Sequence, residues 1–600
     1  MTIGAEHERV SDLNRTIIVE DPSLTTPVGQ DARGALTRRR RLVLFLNLAT
    51  WLLIIAAACA IFLTGGWTML GVAMVICLAL GTPWPVLGFW NAVIGLWQLH
   101  GPKGKAQAEQ PFYEASDDQS PLTVNTAVLM TLRNEDPARA LLRLKTVKAS
   151  LDRTPEGARF SYFVLSDSDR DEIALREEAE VAAWQKSDSD RTRIIYRRRK
   201  DNAGFKAGNI REFARHWGSD YEFMLPLDAD SLMTGEAIVD LVRIMQMNPQ
   251  IGILQSLVVG TPSSSAFARI FQFGMRLGMR TYTMGQAWWV GDCGPFWGHN
   301  ALLRIEPYLQ HCALDGLIKS GPILSHDQVE AVLMRKAAYE VRVLPVETGS
   351  YEDNPPDALE FMRREARWCQ GNMQYLRLIG MRGIEPVSRF QLLWAVLMFL
   401  GVPAWTLLAA LFPLAMLSAQ SQADFPWSAV EIIYALLLVM HLAPKLAGIV
   451  DAILTPGEVR RFGGWLSFAS SAIIEIVFSL ILGAVTTIRT SMFMAGLLIG
   501  RAVVWNGQRR DGEGVAWTDA LRWLWPQLLF GLSLYAAMAL ISPAAVFWSL
   551  PLTAGYVLAV PFVVFTASPA VGRFFRRHGI AGIPEDFTPP PEIRAVQAGN

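Results

Sequence analysis

The sequence predicts a mostly parallel α/β domain set between two groups of membrane helices, and three observations carry that reading. Apolar runs long enough to cross a bilayer lie before residue 100 and again after residue 389. Between them, from about Pro111 to Val387, short strand-like apolar runs alternate with segments of helical period, as βαβ units do. One of those runs ends in Met224 to Glu236, where the carboxylates Asp228 and Asp230 stand at the strand end at which an open α/β sheet collects its functional groups.

The membrane pattern comes first in the chain. Residues 1–41 read as a polar tail closing on Arg38, Arg39, Arg40 and Arg41, directly before the apolar run Leu42 to Leu63. By the positive-inside rule the amino terminus is cytoplasmic. Met69 to Trp97, broken at Gly81-Thr82-Pro83-Trp84-Pro85, brings the chain back, so residues 42–97 hold two spans. After the domain come Phe390 to Leu417, Val430 to Leu454, Trp465 to Leu482, Leu521 to Ile541 and Ala544 to Phe565. Arg573, Arg576 and Arg577 place the carboxyl terminus inside as well, which requires an even number of crossings. Val485 to Val503, split by Arg489, is then an eighth crossing, or one run is re-entrant or lies in the interface. Residues 390–566 accordingly hold five or six spans with an interfacial or gating segment over 485–516. Residues 567–600 form a cytoplasmic tail, read as mobile from Pro584 onward.

Lys445, Asp451 and Glu475 inside the apolar runs are costly unless they face a polar path or one another. Trp394, Trp405, Trp427, Trp465, Trp523, Trp525 and Trp548 fit either sugar-stacking rings in a channel or an interfacial belt. Equal numbers of basic and acidic residues, 55 each, argue against a nucleic-acid partner. Five scattered cysteines without paired spacing argue against a zinc site or a disulfide framework.

Within the domain, strands are expected over Thr123 to Met130, Phe160 to Ser166, Arg193 to Tyr196, Tyr221 to Leu227 and Ile251 to Gln255. Helices are expected over Pro137 to Ser150, Arg170 to Gln185, Lys206 to Trp217 and Gly235 to Met247. Alternate residues of an extended chain share a face, so Asp228 and Asp230 are expected to reach one hard cation, which with open positions holds a diphosphate. Thr131 to Asp136 follows the first strand and offers either a nucleotide-binding loop or a turn with Asp136 as cap and Pro137 in the first helical position. Asp167 either accepts from a pyrimidine N–H or belongs to a cap. Arg198 to Asn209, basic and glycine-containing before a helix, suits a phosphate or is a solvated loop. Ser325-His326-Asp327-Gln328-Val329-Glu330 has the spacing of a capping box, and a carboxylate there is expected to keep a low pKa while accepting a proton from a sugar hydroxyl. Arg363 to Asn372 is either a clamp for a leaving diphosphate, with an indole for a sugar ring, or a helix on the membrane surface.

Taken in order, these clusters resemble those of the processive family 2 glycosyltransferases, which include cellulose, chitin and hyaluronan synthases. Gly349-Ser350-Tyr351-Glu352-Asp353-Asn354-Pro355-Pro356 and Arg367-Trp368-Cys369-Gln370-Gly371-Asn372 narrow the resemblance to the synthases of osmoregulated periplasmic glucans. It covers roughly Leu42 to Phe565. The resemblance implies a GT-A (Rossmann-like) glycosyltransferase domain inserted in a polytopic α-helical protein of the bacterial inner membrane. It implies UDP-glucose as donor, a growing β-1,2-linked glucan as product, and passage of that glucan across the bilayer. A periplasmic glucan-processing partner and an acyl carrier protein are implied by the same analogy.

Residue by residue, the resemblance implies that Glu135 and Asp167 contact the uridine and that Lys206, Gly208 and Asn209 lie along the nucleotide. Asp228 and Asp230 hold Mg²⁺ or Mn²⁺, and Asp327 is the general base. Arg367 holds the pyrophosphate, Trp368 floors the acceptor site, and Gly298, His299 and Asn300 line it. Two departures bear on the acceptor: Arg364 stands where the synthases have Gln in Gln-x-x-Arg-Trp, and Ser325-His326-Asp327 replaces Thr-Glu-Asp. Ala502 to Gly514 falls where such synthases carry a gating loop. Another family 2 synthase, a polyprenyl-phosphate glycosyltransferase and a non-enzymatic UDP-glucose sensor remain as alternatives.

Overall fold

The computed structural model describes residues 30–64, 66–101, 120–319, 321–420, 425–502 and 512–599. Four strands form the parallel half of one sheet: β1 (Thr126–Leu132), β2 (Phe160–Ser166) and β4 (Phe223–Asp228), which are buried apolar runs, and β3 (Ile194–Arg198), which is only half-buried and ends in Arg197 and Arg198. β1, β2 and β4 are covered on both faces and so read as near-continuous hydrophobic stretches. The other half is mixed. Short β7 (Ala301–Arg304) runs antiparallel to both β4 and β6 (Ile251–Gly260), and β8 (Glu340–Glu352) is parallel to β6. β5 (Leu232–Met233) lies antiparallel at the outer edge, giving the order β3-β2-β1-β4-β7-β6-β8-β5. The carboxyl ends of β1, β2, β3, β4, β6 and β8 therefore share one edge of the sheet, and every sequence cluster that follows a strand opens there.

Among the described residues, seven helices are long and apolar enough to cross a membrane. The first spans Gln30–Leu63, so Arg38 to Arg41 sit within a helix rather than closing a loose tail. Arg40 donates to the carbonyl of Trp289 at 3.2 Å and pairs with Asp292, which fixes that end of the helix to the domain. The second run is two helices, Met69–Gly81 and Pro83–His100, parted at Thr82 as Pro83 demands. Trp405 Nε1 donates at 3.0 Å to the Gly81 carbonyl beside that break. Val485 to Val503 is not a separate crossing: Trp465–Leu498 is one continuous helix of 34 residues. The charge that splits the apolar run, Arg489, rests over the Trp523 ring at 4.7 Å and donates to the Trp523 carbonyl at 2.9 Å.

The buried charges of the helices pair with one another, as their cost requires. Lys445 meets Glu475, and Asp451 accepts from His100 at 2.7 Å and forms an ion pair with Arg280 at 3.2 Å. Of the indoles, Trp394 stacks on Trp84 and Phe390, whereas Trp427, Trp465, Trp525 and Trp548 are exposed on the outside of the bundle. The expected gating segment Ala502 to Gly514 lies mostly outside the described residues.

The carboxyl-terminal tail, expected to be mobile, is docked. Pro584–Phe587 and Pro591–Gly599 are short helices; Ile583 before the first and Ile593 and Val596 on the second are buried in the protein core. Glu585 and Asp586 meet Arg276 and Arg269, two buried guanidiniums on the helix Ala266–Val290, at 2.5 and 2.7 Å. Glu592 accepts from Ser150 Oγ at 2.6 Å. Buried charges on the domain thus recruit the acids of the tail, and proline content alone could not reveal that.

Candidate active site

The carboxylate pair stands on a turn, not on an extended strand. Asp228 ends β4, and Ser231 N donates to the Asp228 carbonyl at 2.9 Å, so the chain reverses at Asp228 to Asp230 and does not continue extended. The shared-face expectation for an extended chain is corrected accordingly. Asp230 is buried, and its carbonyl accepts from Arg143 Nη1 at 2.9 Å. Arg143 also donates to Asp353 at 2.7 Å, which ties the turn to the end of β8. Lys206 pairs with Asp228, so a cation already occupies one face of that carboxylate. Hard oxygens that hold an ammonium also suit Mg²⁺ or Mn²⁺. Among the described residues no three His, Cys, Asp or Glu side chains converge as a metal cage. Two carboxylates on one turn suit such a cation.

Asp167 follows β2 and is buried. Its Oδ1 accepts from Arg199 Nε at 2.6 Å and from Asn209 Nδ2 at 2.7 Å, while its Oδ2 accepts from Arg199 Nη2 at 2.8 Å. Burial pushes its pKa up although Arg199 opposes that. The carboxylate is thus engaged by the Arg199 fork and the Asn209 amide rather than open to a base, and it caps no helix, since Asp171–Ser187 begins without a side-chain cap. Asn209 is buried with it, donating also to the Leu165 carbonyl at 3.2 Å. Gly208 is required by close approach: a β-carbon there would stand 2.0 Å from the Ala203 carbonyl oxygen. Glu135 accepts from the Arg133 N–H, and Asp136 caps Pro137–Leu151 by accepting from Ala138 N at 3.2 Å, as read from sequence.

Asp327 opens the helix His326–Lys336. The capping box is not formed, because Ser325 makes no side-chain cap bond; His326 Nδ1 instead meets Glu330 at 3.1 Å. The low pKa expected for Asp327 is also corrected. Burial raises it, Glu330 adds to the rise, and His326, the Gln328 N–H and Lys206 oppose without overcoming it. Two glycines bring this carboxylate to its neighbours. Gly298, at φ 83°, has its missing β-carbon 3.4 Å from Asp327 Cβ. At Gly371 a β-carbon would stand 2.1 Å from Ser325 Oγ, so the helix Ala358–Gln374 packs directly on the start of the Asp327 helix.

His299 sits 3.3 Å from Ser231 Oγ and 3.4 Å from Glu352, linking the Gly298–Asn300 loop to the Asp228 turn. Asn300 is fully buried and donates to Ser350 Oγ at 2.8 Å, so it shapes the loop from beneath instead of facing a ligand. Arg364 lies over the Trp368 ring at 4.6 Å, and Trp368 itself is 46% exposed. Arg367 is half-buried on the same helix. Sequence reasoning missed Glu352 as a site group. It ends β8 with a pKa raised first by burial, lies within the fields of Asp228, Asp230, His299 and Arg364, and was visible only as part of a signature.

Glycosyl transferase family 2 matches residues 127–311, and Glycosyl transferase family group 2 matches residues 223–444. The glucans biosynthesis glucosyltransferase H of Xanthomonas campestris pv. campestris (strain B100) is 34% identical over 545 residues, 88% of this chain and 84% of that protein. That of Pseudomonas aeruginosa (strain LESB58) is 32% identical over 86% of this chain and 61% of its own length. Among solved structures, a mannosyltransferase PcManGT from Pyrobaculum calidifontis in complex with GDP-Man and Mn²⁺ aligns at a TM-score of 0.42 and 16% identity, over 64% of this chain and 99% of that one. With a GT-A sheet, a carboxylate turn after β4 and this extent of identity, the chain belongs to the glucans biosynthesis glucosyltransferase H family of the family 2 glycosyltransferases.

Proposed function

We propose that the protein transfers glucose from UDP-glucose to the end of a β-1,2-linked glucan in one inverting step. The observation that carries this reading is the packing of Gly298 on Asp327, because the same loop reaches Ser231 and Glu352 beside the Asp228 turn. One loop thus touches both Asp327 and the Asp228 turn, which supports a base and a diphosphate-holding pair acting on one substrate. Asp327 takes the proton of the acceptor hydroxyl, whose oxygen attacks the anomeric carbon as the bond to UDP breaks, and that group supplies roughly a hundredfold to ten-thousandfold of the rate. Lys206 moves from Asp228 onto the diphosphate, and Arg367 holds the departing pyrophosphate. Trp368 floors the acceptor, and Gly298, His299 and Arg364 border it. Mg²⁺ or Mn²⁺ bound at Asp228 and Asp230 would neutralise charge on the leaving UDP. Asp167 supports the nucleotide site through Arg199 and Asn209, and Glu135 lies at its rim.

The domain is proposed to face the cytoplasm from a bacterial inner membrane, with both termini on its side. Two contacts of the helix Trp465–Leu498 support six crossings. Ser467 donates to the Gly579 carbonyl at 2.5 Å, and Arg489 shares the Trp523 ring with Arg363 of the Arg-Trp helix. Both points belong to the domain side, so this helix runs along that side and the parity becomes even. The remaining helices would carry the glucan outward, toward a periplasmic processing partner, and an acyl carrier protein is a further expected partner.

The test is purified protein in lipid with radiolabelled UDP-glucose and linkage analysis of the product. A β-1,2-linked polymer is expected, lost on chelation and restored by Mg²⁺ or Mn²⁺. Full turnover in excess chelator would remove the metal assignment, and label recovered only on a polyprenyl phosphate would replace the glucan with a lipid acceptor.

A further inference from the structure

The helix that carries the proposed base also buries an ion pair that the transfer step, as described, does not use. His326 and Asp327 open the helix His326–Lys336, and Glu330 stands one turn after His326, at the spacing that brings two side chains of a helix together. Glu330 is 2% exposed, and the His326 side chain 11%. One Glu330 oxygen meets His326 Nδ1 at 3.1 Å, and the other accepts at 3.0 Å from the Tyr308 hydroxyl, which reaches it from the helix Ile305–His311. Both oxygens are held by donors, as suits an ionised carboxylate. Burial works against a charged ring at His326, yet Glu330 and Asp327 together raise its pKa, with Lys206 opposing. A buried pair of this kind holds a fold no better than apolar side chains of similar volume, so stability alone does not account for it.

The other groups around Asp327 leave that ring as its fixed cation. Lys206 acts on the same carboxylate, but its ammonium pairs with Asp228 and moves onto the diphosphate in the proposed reaction. The Gln328 N–H donates to Asp327 and carries no net charge. On the Gly298 loop, His299 is turned to Ser231 and Glu352. The helix Ala358–Gln374 meets Ser325 through Gly371, which has no side chain; its Arg364 lies over Trp368, and its Arg367 holds the pyrophosphate in the proposed reaction. Tyr375 donates to the Ser325 carbonyl at 2.8 Å, and burial, with Asp327 adding to it, pushes its phenol well above the usual range, so it stays neutral. Behind Glu330, Cys312 donates to the Glu330 carbonyl at 3.6 Å. Burial keeps both Cys312 and Tyr308 neutral, with Glu330 adding to the effect and Arg211 of the helix Phe205–Trp217 opposing.

We propose that His326 is a positioning residue of the transfer step: clamped by Glu330, its imidazolium is the fixed cation that keeps the Asp327 carboxylate ionised. The inference rests on the reading of Asp327 as general base and deepens it, by naming the group that sets the charge of that base. The net charge of the pair decides the outcome. With both partners present it is zero. Without the imidazole, Glu330 is left as a bare anion beside the base, and the field at Asp327 turns negative. Without the Glu330 charge, the imidazolium acts alone, and the field turns positive. A merely structural contact has no such sign, since loss of either partner would then act in the same direction.

The experiment takes two readouts on the full chain in lipid nanodiscs. One is the pH dependence of kcat/KM for UDP-glucose; the other is the titration of Asp327 itself, read in the infrared as the carboxyl band that Asp327→Asn lacks. His326→Gln keeps a side-chain donor for Glu330 and removes the charge, so its acid limb and its carboxyl midpoint should rise together by at least about one pH unit. Glu330→Gln should move both down. The double variant His326→Gln with Glu330→Gln is neutral at both positions and should return both close to the parental values. The step from Glu330→Gln to the double variant removes the same imidazolium and leaves no bare anion, so it repeats the test if His326→Gln fails to fold. A limb and midpoint that do not rise when the imidazolium is removed, or that move the same way in both single variants, overturn the role of His326. A parent that transfers no glucose while the carboxyl midpoint moves as expected overturns the transferase reading and supports the hold of His326 on the charge of Asp327.

Discussion

Replacing Gly371 by alanine tests the seam that holds the proposed base against the Arg-Trp helix. The added carbon would stand 2.1 Å from Ser325 Oγ and 2.8 Å from both Ser325 Cβ and the Ser325 backbone N. The hydroxyl can rotate away, but the Cβ and the backbone cannot. Restoring an ordinary contact of 3.4 Å from 2.8 Å requires the two helices to part by about 0.6 Å. Overpacking of this kind costs about 1–3 kcal/mol of stability. A 1 Å misplacement of catalytic groups costs roughly a hundredfold, so the smaller displacement should cost kcat roughly tenfold. The assay is UDP release in nanodiscs as a function of UDP-glucose, with a melting curve beside it. Gly380→Ala is the control, because a β-carbon there would meet nothing within 4 Å. Adding Ser325→Gly to Gly371→Ala removes two of the three clashes and should recover part of the loss. Parental kcat in Gly371→Ala would refute the claim that this seam sets the position of Asp327.

Three further outcomes follow from the same geometry. The Asp327 carboxyl, raised by burial, is protonated in the folded protein at pH values where it is ionised in the unfolded chain; the acid limb of kcat/KM should therefore lie above the ordinary carboxylate range, with the stabilising contribution of the protonated form lost as pH rises through that same window, and a limb near pH 4 would contradict it. Asp167→Ala leaves the Arg199 guanidinium buried without its partner, so it should cost about 3–5 kcal/mol in chemical denaturation, and a purely kinetic defect with parental stability would restore the base-contact role. Glu585→Ala strips one of two acids from buried Arg276, with Glu347 remaining at 2.6 Å, and should cost about 1–3 kcal/mol in a melting experiment; no loss would mean that the tail does not dock.

In the parallel half of the sheet β1, β2 and β4 were legible because they are buried on both faces and read as unbroken apolar runs, and Phe160–Ser166 matches its predicted bounds to the residue. β7 and β5 were not, since four and two residues leave no periodicity to read. β8 was missed for a different reason: Arg342, Glu347 and Glu352 interrupt its pattern, and their partners lie elsewhere in the chain. The helix Trp465–Leu498 reads as two segments because Arg489 is counted as a break, although an indole 34 residues later covers its charge. The site divides the same way. Asp228, Asp327 and Trp368 are proposed from residue type and order alone, whereas the Asp167–Arg199 fork and the raised pKa of Asp327 depend on burial that only the fold creates.

The central claim is that Asp327 does chemistry while Asp228 and Asp230 hold the donor, and a paired comparison of Asp327→Asn with Asp230→Asn addresses it most directly. Calorimetric UDP binding and glucan synthesis are measured for both in the same nanodiscs. Asp327→Asn keeps a side-chain acceptor for the Gln328 N–H and nearly the same volume, so UDP binding should persist while polymer formation falls at least about a hundredfold. Asp230→Asn should lose metal-dependent UDP binding and synthesis together. An Asp327→Asn protein that polymerises at close to the parental rate would contradict the account, and the proton would then have to leave by another group facing the same space.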